Sequence, residues 1–192
     1  MNKAELLQQV KKFETLYDLY NNKYYIYVNS KQYTEEFLKN KSQEIIDIYK
    51  KEVQKLANDL LVKIDVVSKP YQDSTVADLK NADYQVGLNN LINAIKAGVV
   101  QQDSLPELEK TYRTNKMAIG LLQKACEQNG LVFVHDDPML PYNKLKEYIQ
   151  AFGDTSNISL TDNFRSLWIR EYIGIVEEHL NKHFDENMKI VD

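Results

Sequence analysis

Apolar residues recur at intervals of three and four along most of this chain, which is the pattern of amphipathic helices. In the N-terminal part the pattern predicts a helix over residues 3–21, ended by the Asn21-Asn22 pair because asparagine tolerates the conformation of helix C-termini. The predicted inward face of this first helix consists of Leu6, Val10, Phe13, Tyr17 and Tyr20.

The longest uninterrupted stripe predicts one helix over about residues 34–67, roughly 50 Å long at the usual rise per residue. Its apolar spacings mix threes and fours without a strict heptad, which favours packing in a bundle over a sustained coiled coil. Pro70 follows closely and predicts the end of the helix, since proline lacks a backbone donor. The stripe consists of Phe37, Ile45, Tyr49, Val53, Leu56, Leu60, Ile64 and Val67.

The remaining periodic segments predict four further helices. One begins near Ser74 or Thr75 and ends at Gly98, and the next runs from a capping-box sequence at Ser104 to Asn129-Gly130. The last two cover about residues 141–152 and 161–186.

Two short runs have the composition of β-strands. Tyr24–Val28 is rich in aromatic and β-branched residues and precedes a turn sequence, so it predicts a strand, with continuation of the first helix as the alternative. Leu131–Val134 is similar and could pair with it. A ribbon of two strands is only marginally stable, so it would need helices behind it or a strand from another subunit.

These elements together predict a mainly α fold, a bundle of about five to six helices with a small two-stranded element, residues 24–28 with 131–134. The length of 192 residues suits a single helical domain, 1–192. An alternative arrangement lets residues 23–67 project from that domain as an interaction arm.

The charge distribution disfavours direct binding to nucleic acid. Residues 1–63 carry 11 Lys and 9 acidic residues, while residues 64–192 carry 13 basic and 19 acidic residues. Neither part approaches the basic surface with which proteins neutralise phosphates.

The chain offers no signal for a membrane or for export. It begins directly with an amphipathic pattern, and no window approaches the roughly 20 apolar residues of a membrane span. The single cysteine, Cys126, lies in a helical apolar pattern and is expected to be a buried thiol in a reducing compartment. We therefore expect a cytoplasmic protein, or one within a virus particle assembled in the cytoplasm.

No motif names a reaction. A nucleophile elbow, a glycine-rich phosphate loop and a cysteine metal knuckle are all absent from the sequence, so neither catalytic residues nor a cofactor are predicted. The candidates for a metal site are His179 and His183, spaced four apart on a helix, with a third ligand from His135, Asp136 or Asp137. No glutamate lies between the two helical histidines as it does in zincins.

The better functional signal lies in tyrosine and arginine. Seven of the 13 tyrosines fall within the first 49 residues. Tryptophan, tyrosine and arginine are enriched in the residues that contribute most to binding at protein interfaces. The alternative is that these side chains form the outer layer of the protein's own core. The predicted interface residues are Tyr24, Tyr25, Tyr27, Tyr33, Arg165, Arg170 and Tyr172, with the last three near Trp168 on partly exposed helix faces.

These patterns favour a non-enzymatic helical protein that acts through protein–protein contacts with other subunits or with copies of itself. The composition, rich in Asn, Lys, Ile and Tyr, is typical of AT-rich genes of low-GC bacteria and their phages, so the expected setting is a structural or adaptor subunit of an assembly such as a phage particle. One alternative is a small inhibitor or immunity-type protein of a mobile element, whose acidic C-terminal part masks a basic surface. A second is a metal-dependent hydrolase built on His179 and His183.

Overall fold

The computed structural model describes residues 1–78, 81–113, 115–135, 137–154, 160 and 163–191, apart from the side chains of 72–78 and 163. Two compact units make up the chain, one from Met1–Val67 with Pro141–Asp192 and the other from Ser68–Leu140. We call them unit 1 and unit 2. The described residues form seven helices, α1 Lys3–Val28, α2 Glu35–Asp78, α3 Ala82–Lys96, α4 Leu105–Tyr112, α5 Lys116–Gln128, α6 Leu140–Gly153 and α7 Asn163–His183, with a 3₁₀ turn at Gln102–Ser104.

Unit 1 is a helical bundle of α1, the part of α2 up to Val67, α6 and α7, which confirms a mainly α bundle. The Phe13 ring of α1 stacks on Phe152 of α6 with centroids 4.4 Å apart. Tyr20 of α1 packs on Tyr49 of α2 at 5.7 Å, and α1 also packs along α7. The predicted inward face of α1, from Leu6 to Tyr20, is buried throughout.

The two ends of unit 1 are joined by hydrogen bonds. Asn2 and Glu5 form a capping box at the start of α1, so the first turn is satisfied locally. The Lys3 N–H then donates to the Glu186 carbonyl at 3.1 Å. Beyond α7 the chain turns back on itself, with an antiparallel bridge between Phe184 and Ile190.

Unit 2 packs α3 against α5, with α4 beside them. Its core contains Cys126, a buried free thiol whose pKa is raised by burial. Asn115 begins α5 as its N-cap, since its side-chain oxygen accepts from the N–H groups of Met117 and Ala118. The buried core residues of this unit are Leu88, Ile95, Leu105, Tyr112, Ala118, Ile119, Leu122, Ala125 and Cys126.

The predicted two-stranded element is wrong. Tyr24–Val28 is the last part of α1, and the Asn29 N–H donates to the Tyr25 carbonyl, which closes the helix. The alternative, continuation of the helix, is confirmed. Leu131–Val134 lies outside any helix but pairs with no other strand in the described ranges, whose only bridge is the isolated Phe184–Ile190 pair. Local helical hydrogen bonds therefore outweighed the β-favouring composition of Tyr24–Val28.

Helix boundaries also differ from the prediction in the middle of the chain. Helix α2 continues through Pro70 to Asp78 instead of ending before the proline, and the next helix begins at Ala82 rather than near residue 74. The predicted helix from Ser104 is divided in two at Asn115, and the Ser104 side chain bonds the Gln101 carbonyl instead of capping α4.

None of the described helices is both long enough and apolar enough to cross a membrane. The hypothesis of one domain with residues 23–67 as an arm stays a prediction.

Candidate functional site

The buried face that α1 and α2 share stops before the turn that joins them. Tyr20 is the last buried residue of α1 and Ile45 is the first of α2. Residues 21–44, all of which the structure describes, contain no buried side chain. We call this segment the hairpin tip, since it continues both helices beyond the last core layer of unit 1.

Large apolar side chains are exposed on the hairpin tip. Ile26 is the most exposed, at 70%. Tyr33 and Phe37 stack on each other with ring centroids 4.7 Å apart, and Tyr24 contacts Tyr25 edge to face at 5.9 Å. These rings pack against their neighbours along the chain and not against a core. The exposed apolar side chains of the tip are Tyr25, Ile26, Val28, Tyr33 and Phe37, whereas Tyr24 and Tyr27 are half-buried.

Charge is unevenly distributed on the hairpin tip. Residues 21–34 contain two lysines, Lys23 and Lys31, and no carboxylate. The Lys23 ammonium lies 4.8 Å from the centroid of the Tyr20 ring, in cation–π range. Further along, Lys41 pairs with Glu44 at 2.7 Å. The turn itself is therefore mildly basic, aromatic and rich in amide side chains.

The predicted interface residues of α7 lie elsewhere in unit 1 and have different surroundings. Arg165 is buried, at 9% exposure, and its guanidinium carbon lies 4.2 Å from the centroid of the Trp168 ring. It also hydrogen-bonds Tyr49. The expectation that Arg165 occupies a partly exposed face was wrong, because its charge is enclosed between two aromatic side chains.

Burial raises the pKa of Tyr49 to about 12, with the Arg165 charge acting in the opposite direction. Tyr49 is thus a neutral hydroxyl at ordinary pH. The arginine and the tyrosine together form a polar contact inside the bundle.

Tyr172 and Arg170 have structural contacts as well. The Tyr172 ring stacks on Trp168 at 4.6 Å and meets Phe152 edge to face at 5.3 Å, so it lies half-buried in an aromatic layer. Arg170 is exposed, and its Nε donates to a carboxylate oxygen of Glu14 at 2.5 Å, which ties α7 to α1. Of the predicted interface residues, the structure therefore places Tyr24, Tyr25, Tyr27 and Tyr33 on the hairpin tip and Arg165, Arg170 and Tyr172 together on α7.

The metal candidates are engaged in other contacts. His179 Nε2 lies 2.9 Å from the Pro141 carbonyl, and its ring centroid is 4.7 Å from that of His183. His135 Nδ1 is bonded to Glu109, and Asp136 lies outside the described residues. Among the residues that the structure does describe, no three His, Cys, Asp or Glu side chains come together around one point. That part of the chain offers no assembled ligand set for a hydrolytic metal ion.

Unit 2 contains one polar cluster that the sequence analysis did not predict, formed by Glu109, Arg113 and His135. The nearly buried Glu109 carboxylate lies 3.0 Å from His135 Nδ1 and accepts from Arg113 Nη2 at 3.1 Å. Arg113 is one turn along the same helix, which the sequence spacing could have indicated. His135 is 26 residues away, and no local pattern connects it to Glu109. The cluster neutralises a buried carboxylate and joins α4 to the segment after α5.

No protein-family model, curated protein sequence or solved structure matches this chain.

Proposed function

We propose that the protein acts through contacts with other protein chains, as a structural or adaptor subunit of a larger assembly such as a phage particle, and that the hairpin tip is its docking surface. The observation that carries the proposal is the exposure of Tyr25, Ile26, Val28, Tyr33 and Phe37 on a segment that has no core of its own.

Exposed apolar side chains grouped on one segment have a physical consequence. Scattered single residues are ordinary on a protein surface, but a contiguous group is typical of a binding site. Burial of a large side chain contributes about 1.5–3 kcal/mol. The tip has five such side chains within 13 residues of sequence, from Tyr25 to Phe37. A partner that covers these side chains therefore gains this hydrophobic free energy, and the packing of the helices in unit 1 does not have to change.

The charge of the hairpin tip limits the kind of surface that it can bind. The turn has Lys23 and Lys31 but no carboxylate between residues 21 and 34. A neutral or mildly acidic apolar surface on another subunit therefore fits it better than a basic surface, since unlike charges at the rim favour encounter. The tyrosine hydroxyls can remain hydrogen-bonded at such a rim.

The test is site-specific photo-crosslinking in the cells or particles from which the protein is purified. A photoreactive phenylalanine analogue replaces Tyr33 in one variant and Val66 in a control variant, since both residues are exposed on unit 1. We expect one defined protein adduct from position 33 and none from position 66. The additional substitution Ile26→Asp should abolish the adduct.

Two results would overturn the proposal. One is an adduct pattern at position 33 that equals the control, and the other is an adduct that persists with Ile26→Asp. The alternative, an inhibitor that masks a basic surface through its acidic C-terminal part, makes a different prediction. Its complex with the partner should dissociate at high salt, and Ile26→Asp on the hairpin tip should leave that complex intact.

A further inference from the structure

The segment after α5 has the features of a single β-strand with one open edge. Residues 131–135 form neither helix nor turn, and their exposure alternates. Leu131 and Phe133 pack on the core of unit 2, whereas Val132 and Val134 are exposed at 67% and 72%. Alternation with a period of two is the signature of an extended strand that lies on a core with one face. We call residues 131–135 the edge segment.

One edge of this segment is already closed by a side chain. The Gln102 amide donates to the Val132 carbonyl at 2.7 Å and accepts from the Val132 N–H at 2.9 Å. A primary amide has one donor side and one acceptor side, so it occupies the place of a neighbouring strand at Val132. In an extended strand the N–H and C=O of one residue point to the same edge, and those of the next residue point to the other.

The opposite edge is therefore formed by Phe133 and His135. Within the described ranges, the backbone N–H and C=O of these two residues have no hydrogen-bond partner. Leu131 limits the open edge on one side, since its N–H already donates to the Cys126 carbonyl. Unpaired backbone groups on a strand edge are a template for another strand.

We propose that the edge segment pairs in antiparallel fashion with the edge segment of a second copy of this chain. Phe133 of each copy then exchanges both backbone hydrogen bonds with His135 of the other copy. Val134 of one copy lies opposite Val134 of the other, as a pair without backbone hydrogen bonds between them, and the two Cα atoms are about 4.5 Å apart. This contact goes beyond the proposed function, because it lies in unit 2 and does not involve the hairpin tip.

Self-complementarity selects a second copy in this orientation. The two strands supply equal numbers of donors and acceptors, and β-branched valines meet on the outer face, where cross-strand pairs stabilise a ribbon. Antiparallel pairing about Val134 forms four backbone hydrogen bonds, which use the N–H and C=O of Phe133 and His135 in both copies, and its two-fold symmetry closes the contact after two chains. Parallel pairing of the same two edges is offset by one residue, so it forms only three of these bonds and leaves one N–H and one C=O unpaired.

The small size of the ribbon limits the affinity between the two copies. Its buried area is well below the roughly 800 Å² per partner of stable complexes, so the expected dissociation constant is on the order of 0.1–1 mM. Such a contact is weak between free molecules and becomes effective where many copies are held close together.

The test is sedimentation velocity over a concentration series up to about 1 mM, with charge-swapped variants at position 134. Val134→Lys and Val134→Glu should each raise the dissociation constant about five- to tenfold, because like charges then face each other across the two-fold axis. An equimolar mixture should restore the association. Val99→Lys is the matched control, since Val99 is also 72% exposed and belongs to the same unit.

Amide hydrogen exchange gives a second readout in the wild-type protein. Association should slow the exchange of the Phe133 and His135 N–H groups and leave that of Val134 unchanged, because the Val134 N–H points to the Gln102 edge. The proposal is overturned if the wild type remains monomeric at about 1 mM, as it would if the edge accepted only a foreign strand. It is also overturned if Val134→Lys behaves like Val99→Lys, or if the mixture does not re-associate.

Discussion

Gly153, at the end of α6, faces Ala57 of α2 so closely that a Cβ atom on the glycine would come within 2.7 Å of the Ala57 Cβ. Real Cβ atoms do not approach each other to that distance, so the two helices can pack this tightly only because residue 153 has no side chain. The close approach lies next to Phe152, whose ring stacks on that of Phe13.

Gly153→Ala should lower the free energy of unfolding by about 1–3 kcal/mol through overpacking. The control is Gly174→Ala in α7, where an added Cβ meets no atom within 4 Å. That change should stabilise the protein by about 0.5–1 kcal/mol, as alanine for glycine does within helices. Urea denaturation measures both values. Equal effects of the two substitutions would contradict the close packing at Gly153.

Arg165 and Arg170 lie on the same helix but should differ in their contribution to stability. Arg165→Ala removes a buried guanidinium from Trp168 and from Tyr49, so we expect a loss of about 2–4 kcal/mol. Arg170→Ala removes only an exposed, solvent-screened ion pair with Glu14, so its loss of stability should be clearly smaller than that of Arg165→Ala. Thermal and urea unfolding of both variants test this, and a larger loss for Arg170→Ala would refute it.

The Tyr142 hydroxyl donates to the Met188 carbonyl at 2.5 Å inside the bundle. Tyr142→Phe keeps the ring and leaves that carbonyl without its partner, so it should reduce the free energy of unfolding by about 1–3 kcal/mol. Tyr25→Phe, on the exposed tip, is the matched control and should change stability by no more than about 0.5 kcal/mol. If denaturant titrations give the same value for both, the buried hydrogen bond contributes little.

Stability should also depend on the protonation of His179. Burial lowers the pKa of its imidazole, opposed by the hydrogen bond to the Pro141 carbonyl. The unfolded chain, with a histidine pKa of about 6.5, then binds the proton more readily than the folded protein. The free energy of unfolding should therefore fall as the pH decreases from about 7 through the lowered folded-state pKa.

His179→Gln should reduce that part of the pH dependence, as measured by urea titrations between about pH 7.5 and pH 5. An unchanged slope in the variant would show that other groups cause it.

The sequence predicted the fold where one helix face is buried along its whole length. The stripe from Leu6 to Tyr20 is buried as expected, because tertiary packing and local periodicity agree there. The prediction failed for Tyr24–Val28, where composition favoured a strand but the described part of the chain contains no strand to pair with. It failed again at Pro70, where the loss of one backbone donor did not interrupt the helix.

The candidate site was only partly predictable for a similar reason. Tyr25 and Tyr33 could be proposed from their clustering in sequence, and the structure places both on the exposed tip. The burial of Arg165 depends on Tyr49, which is more than a hundred residues away, and the pairing of Glu109 with His135 depends on how α4 and the edge segment fold back. Contacts between residues so far apart in the sequence cannot be recognised from local periodicity.

Unit 1 is assembled from two stretches of chain, residues 1–67 and 141–192, whereas unit 2 is one continuous stretch. During synthesis, α1 must therefore wait until α7 has left the ribosome before it can pack along it. Unit 2 has all of its residues earlier and depends on shorter loop closures, which form faster. We expect unit 2 to be the first part to complete its native contacts, while the part of the α1 face that packs on α6 and α7 stays open to chaperones until those two helices have been synthesised.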